Sequence, residues 1–205
     1  LWNDQRSAPQ CDRLTNDLGL SFLLDHTGNA LLPGFTAPKL VWLREHELDS
    51  YERVRHVLLP KDYLRFALGS ELAMDVSDAS GTSVFDCANR RFSTEALAAL
   101  DLPEAWWPNV HESVTIVDRL SNSAANATGL QAGIALVAGA GDQAASAVGS
   151  GIVREGIVSA TLGTSGVVFA CTEKWHVAPE GALHAFCHAV PNTWHLMGVM
   201  LSAPS

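Results

Sequence analysis

The segment GAGDQAA, residues 139–145, sets an acidic and an amide side chain among glycines and alanines. Asp142 and Gln143 follow closely on the apolar run of residues 134–138. A carboxylate that a glycine turn carries past the carboxyl end of a buried strand can reach a ligand without obstruction by its own backbone. Asp142 is therefore a candidate for contact with a substrate. The alternative is that it only stabilises the start of a helix near Ala144 through the helix dipole.

The stretch Gly163-Thr164-Ser165-Gly166 is a second glycine element. Backbone N–H groups and hydroxyls in such a turn can bind phosphate oxygens, although an ordinary hairpin turn has the same composition. The chain contains no GxxxxGK[ST] phosphate-binding loop, and the segment at 139–145 does not complete the GxGxxG pattern. A phosphate role for residues 163–166 therefore needs support from elsewhere in the chain.

Histidine and cysteine side chains near the end of the chain raise the question of zinc. They are His176, His184, Cys187, His188 and His195. Their spacing argues against a metal site, because no close pair such as CxxC accompanies them. We expect histidines of the core or the surface, and no metal ligand.

Several elements must position these residues. Residues 134–138 have the continuous apolar pattern of a strand buried on both faces, and the glycines after them allow a sharp exit into a helix over 144–148. A helix is predicted from Thr36 to His46 and another after Pro60, with Asp62 in its first turn. Residues 57–59 are predicted to form a short buried strand that ends at Pro60.

The second half of the chain changes in pattern. Small and polar residues at 77–81 predict a loop, and the segments 156–162 and 167–171 predict two strands joined by the glycine turn. Strand and helix alternate before this hairpin, which favours an α/β fold. A new subdomain is predicted to begin near residue 151.

Length and composition limit the classes of protein. The 205 residues are 47% hydrophobic and 17% charged, which is typical of a folded protein. Thirteen basic against 22 acidic residues give a net charge of −9, so nucleic acid is not an expected partner. No apolar run has the roughly 20 residues of a membrane span. Four scattered cysteines favour reduced thiols and a cytoplasmic location.

One stretch resembles a known family. Residues Gly34 to His46 are similar to the signature of the FGGY carbohydrate kinases, in which a small or aromatic residue, Pro/Ser/Thr, Lys, Trp and an acid-amide pair recur at fixed spacing. Further matching stretches follow in the order seen in the branch of this family that phosphorylates xylulose. They are residues 58–64, 75–82, 139–145, 162–167 and 184–189. The resemblance runs over nearly the whole chain.

This resemblance implies a fold. FGGY kinases have two ribonuclease H-like α/β domains, as in actin and hexokinase, which close on a cleft that holds sugar and ATP. Residues 1–150 are then the remainder of the N-terminal, sugar-binding domain. Residues 151–205 are the opening strands of the C-terminal, nucleotide-binding domain.

The resemblance also implies functions for individual residues. Asp142 corresponds to the general base that takes a proton from the sugar hydroxyl, and Gln143 to the amide that hydrogen-bonds the substrate. Gly163, Thr164 and Ser165 correspond to the turn near the nucleotide phosphates. The implied reaction is ATP-dependent phosphorylation of a sugar, with D-xylulose as the expected substrate and Mg²⁺ as the expected cofactor.

The chain also departs from the family pattern. Xylulose-specific members commonly have Asn at the position of Gln143, so glycerol, ribulose or another polyol remains an alternative substrate. The Asp-Gly-Thr phosphate loop, the Met-His-Gly sugar loop and the adenosine-binding glycines are absent from the 205 residues. We therefore expect a fragment that is inactive by itself. A non-catalytic sugar-binding module is a second hypothesis, and a homodimer is left open.

Overall fold

A computed structural model describes residues 3–163 and 165–200 of the chain. The helices in these residues are α1 (Ala8–Leu18), α2 (Leu20–Thr27), α3 (Thr36–His46), α4 (Leu48–Tyr51), α5 (Pro60–Leu68), α6 (Val76–Ala79), α7 (Thr94–Ala99), α8 (Asn122–Thr128) and α9 (Asp142–Gly149). None of the described helices is long and apolar enough to span a lipid bilayer.

The strands of the same residues form small sheets. They are β1 (Ala73–Asp75), β2 (Phe85–Asp86), β3 (Arg91–Phe92), β4 (Asn109–His111), β5 (Ile116–Arg119), β6 (Ala135–Val137), β7 (Val158–Leu162), β8 (Gly166–Thr172), β9 (His184–Cys187) and β10 (Trp194–Met200). β1 and β4 pair in parallel, whereas the pairs β2–β3 and β5–β6 are antiparallel. The last four strands form an antiparallel sheet in the order β7-β8-β10-β9.

The helix predicted from Thr36 to His46 is confirmed, because α3 has these bounds. The predicted hairpin is also confirmed: β7 and β8 pair in register from Val158↔Ala170 to Leu162↔Gly166. Helices and strands occur together throughout, as expected of an α/β chain.

Two predictions of secondary structure were wrong. Residues 57–59 form no strand, although the N–H of Val57 donates a hydrogen bond to the carbonyl of Trp106 at 2.9 Å. Residues 77–81, predicted to be a loop, are instead helical. Residues 77–79 belong to α6, and a 3₁₀ turn follows from Ser80 to Thr82. Asp75 caps α6 by accepting a hydrogen bond from the N–H of Ser77 at 2.8 Å.

The strand predicted at residues 134–138 exists as β6, but it is not buried on both faces. Leu136 packs against a small apolar cluster around Leu120, whereas Ile134 and Val137 are 44% and 47% exposed. The physical reason is that, in the part of the chain described, β6 pairs with β5 alone. An apolar run shows that a strand is suited to burial but does not show what covers it.

Two large hydrophobic clusters hold these elements together. The first joins helices α1, α2, α3 and α7 through side chains such as Leu14, Leu23, Val41 and Leu97. The second contains residues from both halves of the chain. They are Met74, Val76, Ala79, Phe85, Cys87, Ala147, Ile152, Phe169, Cys171, Phe186, Cys187 and Met197. The four-stranded sheet is therefore packed directly on the elements that carry residues 74–87.

Candidate active site

Hydrogen bonds fix the glycine turn that follows β6. The N–H of Gly139 donates to the carbonyl of Ser113 at 3.1 Å, and the N–H of Gly141 donates to Ser77 Oγ at 3.0 Å. Gly139 has a φ of +88°, a conformation that side chains other than glycine rarely adopt. The turn therefore needs glycine at 139, and it delivers Asp142 as the first residue of α9.

Asp142 is exposed at the start of this helix. Its Oδ1 accepts a hydrogen bond from the N–H of Gln143 at 2.8 Å. The helix N-cap is Gly141, which forms no side-chain cap, so Asp142 does not act as the N-cap residue. Its place in the first turn still allows the dipole interaction considered above.

A small cleft of about 80 Å³ lies against this turn. Asp142 and Gln143 line it together with Ser77 and Asp78 of α6. The four-stranded sheet also lines the cleft, through Phe186, His195 and Met197. The structure thus brings the two predicted residues of the first glycine element to one cleft.

A buried charge network supports the polar wall of the cleft. Lys61 lies among three carboxylates, with its Nζ 2.5 Å from Asp62 Oδ1, 2.7 Å from Asp75 Oδ1 and 3.4 Å from Asp78 Oδ2. Arg65 adds a second cation, 3.2 Å from Asp62 Oδ1, and donates to the backbone carbonyls of Ala73 and Ala138. The carbonyl of Ala138 lies directly before the glycine turn, so the network also fixes the end of β6.

Asp75 links this network to the turn. Its Oδ2 accepts hydrogen bonds from Ser77 Oγ at 2.5 Å and Ser113 Oγ at 3.0 Å. Ser77 Oγ in turn accepts from the N–H of Gly141. A chain of polar contacts therefore runs from the buried Asp75 to the residue immediately before Asp142.

The charges of the network shift two pKa values. Burial, helped by the nearby Asp75 and Asp62 and opposed by Lys61, raises the pKa of Asp78 to about 6. For Lys61, burial alone lowers the pKa, but Asp75, Asp62 and Asp78 outweigh it and the pKa is raised. Lys61 is therefore a fixed cation, and Asp78 is the group of this pair that can change charge near neutral pH.

His195 lines the cleft from β10. It is 2% exposed and stacks on Phe169 with ring centroids 4.1 Å apart. Burial, together with the neighbouring His188 and His184, lowers the pKa of His195 to about 3, so the imidazole is neutral at physiological pH. Its Nδ1 is buried without a hydrogen-bond partner among the described residues. His195 thus adds a neutral polar group, not a positive charge, to the cleft.

The second glycine element lies elsewhere. Gly163 and Ser165 form the turn between β7 and β8, where the N–H of Gly163 donates to the carbonyl of Ser165 at 2.9 Å. Neither is among the described residues that line the cleft. Thr164, the third residue predicted to lie near the nucleotide, is outside the described residues. Their nucleotide role stays a prediction.

The described residues contain no group of three or more His, Cys, Asp or Glu side chains arranged to hold a metal ion. The carboxylates of Asp75 and Asp62 already form ion pairs with Lys61 and Arg65. The described residues therefore do not fit a Mg²⁺ site made by protein ligands alone.

Besides Asp142, the described cleft lining contains two ionisable residues to which sequence reasoning assigned no role, Asp78 and His195. Asp78 lies in the stretch 75–82 that supports the family resemblance, so its motif was recognised without its contacts. For His195 the sequence predicts only a histidine of the core or the surface, and not a metal ligand. Neither the pairing of Asp78 with Lys61 nor the presence of His195 in the same cleft as Asp142 follows a periodic pattern, because each depends on elements distant in sequence.

Comparison with known proteins supports the resemblance to the FGGY carbohydrate kinases. The sequence model of the FGGY family of carbohydrate kinases, N-terminal domain, matches residues 1–149. The xylulose kinase of Escherichia coli strain K12 is 47% identical over 205 residues, which are 100% of this chain and 42% of that protein. The xylulose kinase of Klebsiella pneumoniae is 46% identical with the same coverage.

Comparison with a solved structure points to the same family. The crystal structure described as a xyloylose kinase from Brucella ovis superposes with a TM-score of 0.93 and 47% identity, covering 99% of this chain and 41% of that one. The chain thus spans about 42% of the length of the curated relatives it matches. The ribonuclease H-like fold of actin and hexokinase, predicted above, is confirmed for this part. The chain belongs to the FGGY family of carbohydrate kinases.

Proposed function

We propose that the chain is part of an ATP-dependent carbohydrate kinase that phosphorylates D-xylulose to D-xylulose 5-phosphate in the cytoplasm. The observation that carries the proposal is the exposed carboxylate of Asp142 on a glycine turn beside the cleft. The relatives with 46% and 47% identity are named xylulose kinases, which supports the choice of sugar.

Asp142 serves as the general base in this proposal. Its carboxylate accepts the proton of the sugar hydroxyl as that oxygen attacks the γ-phosphorus of ATP and ADP leaves. Phosphoryl transfer depends chiefly on orientation and charge stabilisation, so the rigid anchoring of the turn matters as much as the base itself. Ser77 and Asp75 provide that anchoring.

Gln143 supplies an amide to the same cleft and is proposed to bind a substrate hydroxyl. Gly163, Thr164 and Ser165 are proposed to lie near the nucleotide phosphates, in an opening segment of the C-terminal domain that starts after residue 150. Mg²⁺ commonly binds phosphates and water with few protein ligands.

The decisive experiment is a steady-state assay of the complete protein that contains this chain. Substituting Asp142→Asn removes the proton acceptor while keeping size, so kcat is expected to fall by about 10²- to 10⁴-fold. Asp17→Asn, an exposed acid on α1, is the matched control and should leave kcat unchanged. Turnover by Asp142→Asn equal to that of the control would overturn the assignment of the base.

A panel of D-xylulose, ribulose and glycerol decides the substrate. We expect the highest kcat/KM with D-xylulose. A higher kcat/KM with glycerol or ribulose would instead support the alternative substrates that the presence of Gln143 in place of Asn left open. Sugar binding without any phosphorylation by the complete protein would support the non-catalytic module. The 205-residue chain alone is expected to be inactive, and measurable turnover by it would contradict that expectation.

A further inference from the structure

The polar wall of the cleft contains a second carboxylate besides Asp142. Asp78 lines the cleft from α6, and its side chain is 30% exposed. A Cβ atom placed on Gly141 would lie 3.5 Å from the Cα and 3.5 Å from Oδ1 of Asp78, so the glycine turn packs directly against this residue. Asp78 is thus a direct neighbour of the turn that carries the proposed base.

Asp78 also holds the unbalanced charge of the buried network. Asp62, Asp75 and Asp78 face the cations Lys61 and Arg65, which leaves one negative charge in excess. Asp62 and Asp75 are fully buried, and each lies closer to Lys61 than Asp78 does. The excess charge therefore belongs to the one carboxylate of the three that reaches the cleft.

No cation in the rest of the described lining offsets this charge. In the same lining, His195 is held neutral by burial, and Phe186 and Met197 are apolar. The remaining charged group is Asp142, which has the same sign. The raised pKa of Asp78, about 6, has the same origin, because burial and the adjacent acids disfavour its charged form.

A partly buried carboxylate of this kind is stabilised by a hydrogen-bond donor from a ligand. A neutral polyol offers hydroxyl donors without adding charge, and it would reach Asp78 and Asp142 from the same cleft. We propose that Asp78 is a second substrate-binding carboxylate, which accepts a hydrogen bond from a sugar hydroxyl other than the one that is phosphorylated. This inference rests on the proposed function, and it names a specificity-determining contact within it.

The contact has a consequence for specificity. A site that binds a hydroxyl through a buried polar group rejects an analogue that lacks this hydroxyl, because the group is then left without a partner. D-Xylulose and its monodeoxy analogues are therefore suitable probes. Binding to the complete protein is measured by calorimetry in the absence of ATP, so that no chemical step is required.

Wild-type protein should lose affinity for one monodeoxy analogue by about 10- to 100-fold relative to D-xylulose. Asp78→Asn should bind D-xylulose about 10- to 100-fold more weakly and lose most of this discrimination. Ser77→Ala, which releases Gly141 without changing the carboxylate, separates a structural effect from a direct contact. This variant should weaken the binding of D-xylulose and of every monodeoxy analogue by a similar factor, so that the ratio of their affinities stays as in the wild type.

Two failures can be told apart. If wild-type protein binds none of the polyols, the proposed function is wrong and the inference falls with it. If wild-type protein binds D-xylulose and Asp142→Asn still binds it without turnover, the proposed function stands. In that case, equal discrimination by Asp78→Asn and wild type would overturn the role of Asp78 alone.

Discussion

Asn29 and Ala185 are joined by two hydrogen bonds across 156 positions of sequence. Asn29 Oδ1 accepts from the N–H of Ala185 at 2.9 Å, and Asn29 Nδ2 donates to the carbonyl of Ala185 at 2.9 Å. Ala185 lies in β9, one of the two edge strands of the four-stranded sheet. The side chain thus satisfies backbone groups at the edge of this strand and ties the sheet to the segment after α2.

Loss of this link should be costly. Asn29→Ala leaves both backbone groups of the buried Ala185 without these partners, so we expect the free energy of unfolding to fall by about 2 to 4 kcal/mol. Asn89→Ala, which removes an exposed side chain bonded to Asp86, should cost less than about 1 kcal/mol. Urea unfolding of the two variants measures the difference, and equal losses would contradict the importance of the Asn29 link.

The two glycines of the turn before Asp142 should respond differently to alanine. Gly139 has a φ of +88°, so Gly139→Ala should destabilise the protein by about 1 to 2 kcal/mol. Gly141 has a φ of −58°, and its added Cβ would make only ordinary contacts with Asp78. Gly141→Ala should therefore be nearly neutral in thermal unfolding. A larger loss at Gly141 than at Gly139 would show that the turn is not held as described.

His195 should make the protein sensitive to acid. The folded state keeps the imidazole neutral down to a pKa of about 3, whereas the unfolded chain takes up a proton near 6.5. The unfolded state therefore binds more protons in this interval, and stability present above pH 6.5 is lost as the pH falls.

The comparison of His195→Gln with wild type tests this acid sensitivity. Between pH 7 and pH 5, the free energy of unfolding of the variant should fall by about 1 to 2 kcal/mol less than that of the wild type. His56→Gln, at an exposed histidine, should follow the wild-type profile. Chemical unfolding at several pH values gives the slopes, and identical slopes for wild type and His195→Gln would contradict the prediction.

Asp78 should have the opposite effect on stability. Its folded-state pKa of about 6 lies above the ordinary 3.8, so the folded state binds more protons between these values and stability falls as the pH rises through them. Asp78→Asn removes the charge, and we expect it to stabilise the protein at pH 7 by about 1 to 2 kcal/mol and to have little effect at pH 4. Asp17→Asn is the control, and calorimetric melting at the two pH values is the measurement. A destabilised Asp78→Asn variant at pH 7 would show that the pairing with Lys61 outweighs the burial of the carboxylate.

Much of the local structure could be predicted from sequence because its signals are local. The apolar spacing after Thr36 predicted α3, and two β-type runs around a glycine turn predicted the β7–β8 hairpin. The motif order indicated the family, which the matched residues 1–149 then showed. The same order selected Asp142 and Gln143, and both line the cleft.

The sequence by itself therefore determined the family, the main elements and the turn that carries Asp142. Only the tertiary structure decided which side chains face that turn: Lys61 among three carboxylates, the partly exposed Asp78 and the neutral His195. It also decided that β6 leaves Ile134 and Val137 exposed. The reason is physical, because helix and strand periodicity depend on neighbours in sequence, whereas burial, ion pairing and pKa depend on neighbours in space.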